Sequence, residues 1–497
     1  MKSRALMYIV SISVLAVLAV PLEVAAQSSY QLIDLGTFGG PASFINPPQQ
    51  SGSTNPMSLL GTTVGGSTTS TPTPSTSNFF LCGGIEGIVP NVNHAFKWDD
   101  ENGVTDLGSL GSSDNCSLAT SIRSKPAAAV NISDEIVGSS ENGVIDPVLG
   151  VNEIRAILWK DGQIADLGTL GGNVSAGSGI NNRGQIVGFA VNDVPDPISF
   201  YYDVIGQSTN GTQTRAFLWQ NGTMTDLGTL GGPDAWADFI NDHGQVSGFS
   251  YTGALPNPMT GVPATHPFLW DSVDGMIDLG TLGGSSAGSE ILNMAGALNN
   301  RGHVVGASYL SDDQTYHPFF WKKNAKMYDL GTLGGSCGAA FAVNDADVVV
   351  GRADVSGSCS GLTPTSAGRL AARNRPPANI AEQGQPITHA FLWQPGMTTL
   401  QDLGTIGKGV YSQGNAINSS GQVVGASVDP GGISRAFLWE NGGPMVDLNT
   451  LIPPNSALKL RTALAINDRG EIAGIGVPTG CLNFEECGHA FVLIPTQ

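Results

Sequence analysis

An all-β fold built from repeated four-stranded units is what this sequence predicts, and three observations carry it. Nearly the same phrase recurs along the chain, as "RAILWKDGQIADLGTLGG" from Arg155, "RAFLWQNGTMTDLGTLGG" from Arg215 and "HPFFWKKNAKMYDLGTLGG" from His317. Gly accounts for 67 of 497 residues and charged residues for only 13%, a balance that suits short strands and tight turns better than amphipathic helices. The chain also starts and stops out of phase with its repeat, entering on "YQLIDLG" at Tyr30 and leaving on "HAFVL" at His489. A sustained repeat outweighs the two or three domains that the length alone would imply.

Residues 1–26 come first. Lys2 and Arg4 precede an apolar run and small residues ending in "EVAA", the layout of a secretory signal peptide cut near Ala26. The rival is a retained anchor, because the apolar run approaches the roughly 18 to 20 residues that span a bilayer. The small-residue site favours cleavage, which leaves residues 27–497 as a single repeat domain with no stable membrane anchor. The first cysteine is Cys82, too far away for lipid attachment at that site. With 22 basic against 41 acidic residues and a formal net charge of −19, nucleic acid and anionic membranes are poor partners. Six cysteines, an even number in an exported chain, point to disulfides.

Each repeat reads as four strands, a to d. Strand a is a small-residue run ending in Asn, as in "ADFIN"; strand b is "QVSGFS"; strand c is "RAFLW"; strand d is "TMTDLG". The strand-d aspartates are Asp34, Asp106, Asp166, Asp226, Asp278, Asp329, Asp402 and Asp447; the strand-a asparagines are Asn46, Asn131, Asn181, Asn241, Asn299, Asn344, Asn418 and Asn467. Between a and b, Gly184, Gly244, Gly302, Gly421 and Gly470 share one position with Asp134 and Asp347, which predicts a positive φ there. Between c and d, Asn221-Gly222 and Asp161-Gly162 are strong hairpin signals.

Strand c is apolar on both faces, as a strand sandwiched between neighbouring sheets requires. Small residues in strand a suit a crowded axis. Radial four-stranded sheets of this kind form a β-propeller, and eight repeats predict eight blades. The offset ends then pair, the N-terminal strand d with the C-terminal blade, closing the ring and removing both edges; a solenoid would gain nothing from the offset.

The words "HAFKW" at His94, "HAFLW" at His389, "DLGTLGG" and "INxxGQVVG", recurring in one order over nearly the whole mature chain, resemble the HAF repeat family of extracellular bacterial proteins. The resemblance implies export, to the periplasm or beyond, and a repeat fold; it implies no particular activity. Arg155, Arg215 and Arg435 depart from the pattern by replacing His, and Leu493 stands where other copies have Trp.

Several residue sets invite a functional reading. The basic residues opening strand c are His94, Arg155, Arg215, His266, His317, His389, Arg435 and His489. Metal ligands must converge to roughly 2 Å, which positions spread around a ring do not. In a two-residue hairpin Phe217 faces Asp226, so Arg215 lies diagonal to that carboxylate and a structural ion pair is expected in each repeat, with no metal or other cofactor. Trp98, Trp159, Trp219, Trp270, Trp321, Trp393 and Trp439 read as packing between blades. Gly188, Gly248, Gly306, Gly425 and Gly474 read as close backbone contacts. No P-loop, dinucleotide fingerprint or nucleophile elbow occurs.

Length variation falls in the b-to-c loops, at 67–93, 140–154, 190–214, 250–265 and 352–388, which share one face with the d-to-a loops. Loops gathered on one face of a scaffold are a usual binding arrangement. The cysteines fall in the same loops and predict the bonds Cys82–Cys116, Cys337–Cys359 and Cys481–Cys487. Non-repeating residues near the presumed axis are Asp114, Arg123, Asp234, Trp236, Asp238 and Glu290, the candidate ligand-binding set. The acidic loop with Asp193, Asp196 and Asp203 lacks the ordered spacing of a calcium loop and reads as solvated. The expectation is a monomeric, non-catalytic protein that binds an extracellular carbohydrate or protein through the loop-rich face. One alternative is a polysaccharide hydrolase or lyase using Asp234, Asp238 and Glu290 as its acids; another is a matrix spacer.

Overall fold

Turn chemistry sets the hairpins. In the computed structural model Gly184, Gly244, Gly302, Gly421 and Gly470 have φ between 71° and 80°, and Asp134 and Asp347 take 58° and 63° at the same place. Asn221 and Gly222 are both left-handed, at 51° and 82°, the conformation that matches the twist of two-residue hairpins. Phe217 accordingly pairs with Asp226, and Trp219 with Met224.

The structure describes residues 29–45, 56–77, 81–82, 91–119, 129–204, 211–257, 261–284, 294–357, 359, 387–481 and 484–496. The expected signal peptide, Asn46, Arg123 and Glu290 lie outside them. Among the described residues no helix is long and apolar enough to cross a membrane.

The fold is an all-β β-propeller, and the strands run in repeat order a-b-c-d. Sheet 1 is Gly39–Phe44, Thr63–Pro72, Asn91–Asp99 and Gly103–Gly108; sheet 2 is Ser117–Leu118, Ile136–Ile145, Asn152–Lys160 and Gln163–Asp166. Sheet 3 is Ser175–Ile180, Ile186–Pro195, Thr212–Gln220 and Thr223–Asp226; sheet 4 is Ala235–Ile240, Val246–Tyr251, Thr265–Asp271 and Gly275–Asp278; sheet 5 is Met294–Leu298, Val304–Tyr309, Tyr316–Trp321 and Tyr328–Asp329. Sheet 6 is eight-stranded, running Gly338–Val343, Val349–Ser356, Ile387–Trp393, Tyr411–Ile417, Val423–Val428, Ser434–Trp439 and Val446–Asp447, with Gln401–Gly404 also on Ile387–Trp393. Sheet 7 is Leu458–Ile466, Ile472–Pro478, His489–Thr496 and, from the other end of the chain, Ser29–Asp34.

Six sheets are therefore four-stranded, in place of the eight separate four-stranded blades expected from the repeats. The difference has a local cause: a single parallel pairing, Thr388 with Tyr411, joins two four-strand runs into sheet 6. Ser29–Asp34 pairs antiparallel with His489–Thr496, Asp34 opposite Phe491.

Strand a carries one extra residue in sheet after sheet. The register slips around Ser178, Asp238 and Asn415, so each bulges out of the ladder. Opposite the bulge strand b comes so close that a Cβ on Gly248 would sit 2.0 Å from the Trp236 carbonyl, and one on Gly425 1.9 Å from that of Gln413. The expected close backbone contacts at these glycines are present.

Between sheets the core divides into separate apolar layers. Val187, Ala216 and Leu227 of sheet 3 pack on Ala235, Val246 and Phe268 of sheet 4, which is why strand c is apolar on both faces. Trp159 is buried in such a layer and donates its Nε1 proton to the Leu107 carbonyl of the preceding repeat at 2.9 Å. A second device was not legible in advance. Each strand-a asparagine donates its amide to the carbonyl of the next one: Asn131 to Asn181, Asn181 to Asn241, Asn241 to Asn299, Asn299 to Asn344, Asn344 to Asn418 and Asn418 to Asn467, at 2.9 to 3.1 Å. Asn467 continues the chain to the Ser58 carbonyl at 3.5 Å.

Disulfides join Cys82–Cys116, Cys337–Cys359 and Cys481–Cys487, the three pairs expected, with Cα separations of 5.4, 5.2 and 5.9 Å.

Candidate functional site

The basic residues of strand c are structural. His94, Arg215, His266, His317, His389, Arg435 and His489 lie 2.8 to 3.2 Å from Asp106, Asp226, Asp278, Asp329, Asp402, Asp447 and Asp34, and Arg155 is 4.0 Å from Asp166. His and Arg alternate here because they bond alike. Arg215 gives Nε to Asp226 and Nη1 to the Pro233 carbonyl, while His94 sets Nδ1 against Asp106 and Nε2 against the Ser113 carbonyl. Only an imidazolium can donate from both nitrogens. Burial lowers the His94 pKa, but Asp106 and the Ser113 carbonyl outweigh it and the net shift is upward. Burial likewise pushes the Asp106 carboxyl up, and the His94 and Gly108 hydrogen bonds more than reverse it.

The candidate axial set does not form an open site. Asp234, Trp236 and Asp238 are 0%, 1% and 1% exposed. Trp236 stacks on Phe189 with ring centroids 3.8 Å apart, within an apolar cluster that also takes in Phe44, Leu118, Phe249 and Leu464. Its ring face is covered by protein and has no room for a sugar. Asp114 is exposed in the turn beside His94, away from these residues.

Asp234 has a different task from the one expected. Its carboxyl receives the Thr214 and Phe200 backbone N–H groups at 2.7 and 2.5 Å, pinning the short helix Phe200–Val204 over Trp236's neighbours. Burial, then the neighbouring Asp196, push its pKa up to about 9. Asp196 is 4% exposed and, apart from this neighbour, its Oδ2 is a buried acceptor with no donor. One proton held between the two carboxyls satisfies both observations. Asp193, by contrast, is exposed, so the acidic loop does not converge. Among the described residues the one grouping of three potential metal ligands is Cys82, Cys116 and Glu141, whose thiols are spent in a disulfide.

A polar cluster that sequence reasoning missed lies within sheet 6, where its two four-strand runs meet. Arg352 follows the strand-b glycine, where equivalent positions hold Phe189, Phe249, Ala307 and Ile475. It is half-buried and donates Nη1 to the Tyr411 hydroxyl at 2.8 Å and to Gln413 Oε1 at 3.4 Å. Tyr411 in turn donates to Gln413 at 2.8 Å, and the guanidinium lies 5.8 Å from the Phe341 ring centre. Two residues on, Asp354 accepts from Thr388 Oγ1 at 2.8 Å and from the Cys337 N–H at 3.1 Å. Burial raises the Asp354 pKa against the pull of Thr388 and Arg352, and raises that of nearby Tyr316. The Tyr411 phenol, with Tyr316 and Asp354, holds Arg352 charged. The legible signal was one residue: an arginine at a position that is otherwise apolar or small.

No protein-family model matches this chain, and no curated protein matches it. It is similar to solved structures at low identity. A puromycin-hydrolyzing peptidase of Mycobacterium tuberculosis is 11% identical over 71% of this chain and 49% of its own, with a TM-score of 0.37, so the match spans about half of that peptidase. The β-propeller domain of the Trilobed protease from Pyrococcus furiosus is 8% identical over 72% of this chain and 89% of its own, TM-score 0.36. A gluconolactonase from Xanthomonas campestris is 9% identical over 78% and 92%, TM-score 0.28. The expectation of a binding face built on these residues is corrected: Asp234, Trp236 and Asp238, the aromatic and acids meant to hold the ligand, are sealed inside the protein.

Proposed function

We propose that the protein is an exported HAF-type repeat protein whose propeller carries a hydrolytic site around Arg352. In this reading sheet 6 counts as two blades joined by one bridge, so that eight blades form the ring and the N-terminal strand closes it. Three disulfides support an oxidising, secreted or periplasmic setting.

The supporting observation is the meeting of the partly exposed Arg352 and Tyr411 with the buried Asp354 and Gln413, residues outside the repeat pattern. Hydrolysis without a metal needs an acid–base group and a fixed positive charge where negative charge develops. Asp354, its pKa raised by burial, is the acid–base group that takes a proton from attacking water and returns it to the leaving group. Arg352 supplies the charge, and Tyr411 with Gln413 fixes its orientation.

The test is turnover by the mature chain on chromogenic esters, lactones, peptide anilides and glycosides. Asp354→Asn keeps an acceptor for the Cys337 N–H and is expected to lose roughly 100-fold in kcat with KM little changed. No turnover on any class, or turnover indifferent to Asp354→Asn, would overturn the reading.

A further inference from the structure

We propose that Arg352 anchors a ligand through a carboxylate group. This rests on the same site as the hydrolytic reading but is separable from it, because it concerns binding alone.

Charge pairing comes first. Of the described arginines, Arg155, Arg215, Arg301, Arg435 and Arg469 each lie within 4.0 Å of a carboxylate, while Arg183, Arg352 and Arg461 do not. Among the described residues none lies that close to Arg352, although the chain holds 41 acidic residues. Its hydrogen-bond partners Tyr411, Gln413 and Tyr316 are all neutral, and the first two engage Nη1. A guanidinium is a planar fork of five N–H donors, so three single-oxygen partners leave donors over for a carboxylate. A half-buried cation without a counter-ion carries a desolvation cost that an incoming anion offsets.

The surroundings narrow the ligand to a monoanion. Among the described residues Arg352 is the one cation of the cluster, and Asp354 stands two residues away on the same strand. A second negative charge on the ligand would meet that carboxylate without a second cation to balance it. The Phe341 ring under the guanidinium provides an apolar wall, suited to a carbon skeleton behind the carboxylate. Tyr411 and Gln413 lie two residues apart on one face of Tyr411–Ile417, so a backbone ladder fixes the guanidinium before any ligand arrives.

The competing role is a purely structural cross-tie between two strand runs of sheet 6. Calorimetric titration of the mature chain at low salt with glucuronate, benzoate, glucose and inorganic phosphate separates the two. Both carboxylates are expected to bind in the millimolar range, glucose and phosphate at least 10-fold more weakly. Glucuronate binding without benzoate would still support the proposal and assign the carboxylate to a sugar acid. Arg352→Gln should weaken carboxylate binding at least 10-fold; Arg352→Lys, which keeps the charge and loses the fork, should weaken it several-fold and serves if the first variant does not fold. No carboxylate binding, phosphate binding as tight as carboxylate, or binding unchanged in both variants would overturn the proposal. Carboxylate binding by a protein that hydrolyses nothing would leave it standing and overturn the hydrolytic reading instead.

Discussion

A buried carboxyl that keeps its proton makes stability depend on pH in a direction opposite to an ordinary salt-bridged acid. For Asp234 the folded pKa is about 9 and the unfolded one near 3.8. The folded state binds the extra proton, so the stability associated with the pair is complete below about pH 4 and falls as pH rises towards 9. Asp196→Asn tests this. Its amide oxygen can still accept from the Ile198 N–H, and its N–H₂ replaces the shared proton with a permanent donor to Asp234. The variant is expected to gain about 2 kcal/mol over wild type at pH 8 relative to pH 5, measured by denaturant unfolding at both values. A difference that does not change with pH would mean that no proton is shared. The sequence displayed both aspartates but not the helix and loop that seal them, so Asp196 read as solvated and Asp234 as a ligand-binding acid.

At the scale of elements, the recurring asparagine ties each unit to the next. Asn241 is 4% exposed and uses its whole amide: Oδ1 accepts from the His243 and Gln245 N–H groups, and Nδ2 donates to Gln245 Oε1 and the Asn299 carbonyl. Asn241→Ala leaves two buried backbone donors without partners, takes one of the two donors from the Asn299 carbonyl and is expected to cost about 3 kcal/mol, whereas Ala in place of the exposed Asn221 should cost under about 1 kcal/mol. Chemical denaturation of the two variants is the check; equal losses would show that the inter-unit bond contributes nothing. Much of this scale was legible. Hairpin register, the glycine contacts, the pairing of His or Arg with Asp and the disulfides follow from spacing, because turn type and strand alternation fix which residues face each other. Asn241 was visible only as a turn marker, since its second bond crosses to a residue of the next unit. The parallel bridge between Thr388 and Tyr411 was not legible either, because a single cross-strand contact leaves no periodic trace.

For the whole molecule the decisive contact is between the chain's ends. Ser29–Asp34 adds the fourth strand to sheet 7, Tyr30 is 3% exposed among Leu451, Leu460, Phe491 and Leu493, and His489 lies 2.9 Å from Asp34. Strand d is supplied from within its own repeat elsewhere, at a loop-closure distance of a few residues. Here it is supplied from more than 450 residues away, across a far longer loop. Removing residues 27–34 uncovers Tyr30's pocket, leaves the His489–Thr496 edge unpaired and deletes the Asp34 carboxylate together. Burial of Tyr30 alone contributes about 2 kcal/mol; with the lost ladder the melting temperature is expected to fall by roughly 5 °C or more in calorimetry. A synthetic peptide of residues 27–36 added in trans should recover part of that loss by refilling the vacant edge. The same peptide with Asp34→Ala should recover less, because it lacks the partner of His489. A truncated chain that melts where the intact one does would show that the ring holds without its seam, and that the neighbouring-unit bonds, including Asn467 to Ser58, are sufficient.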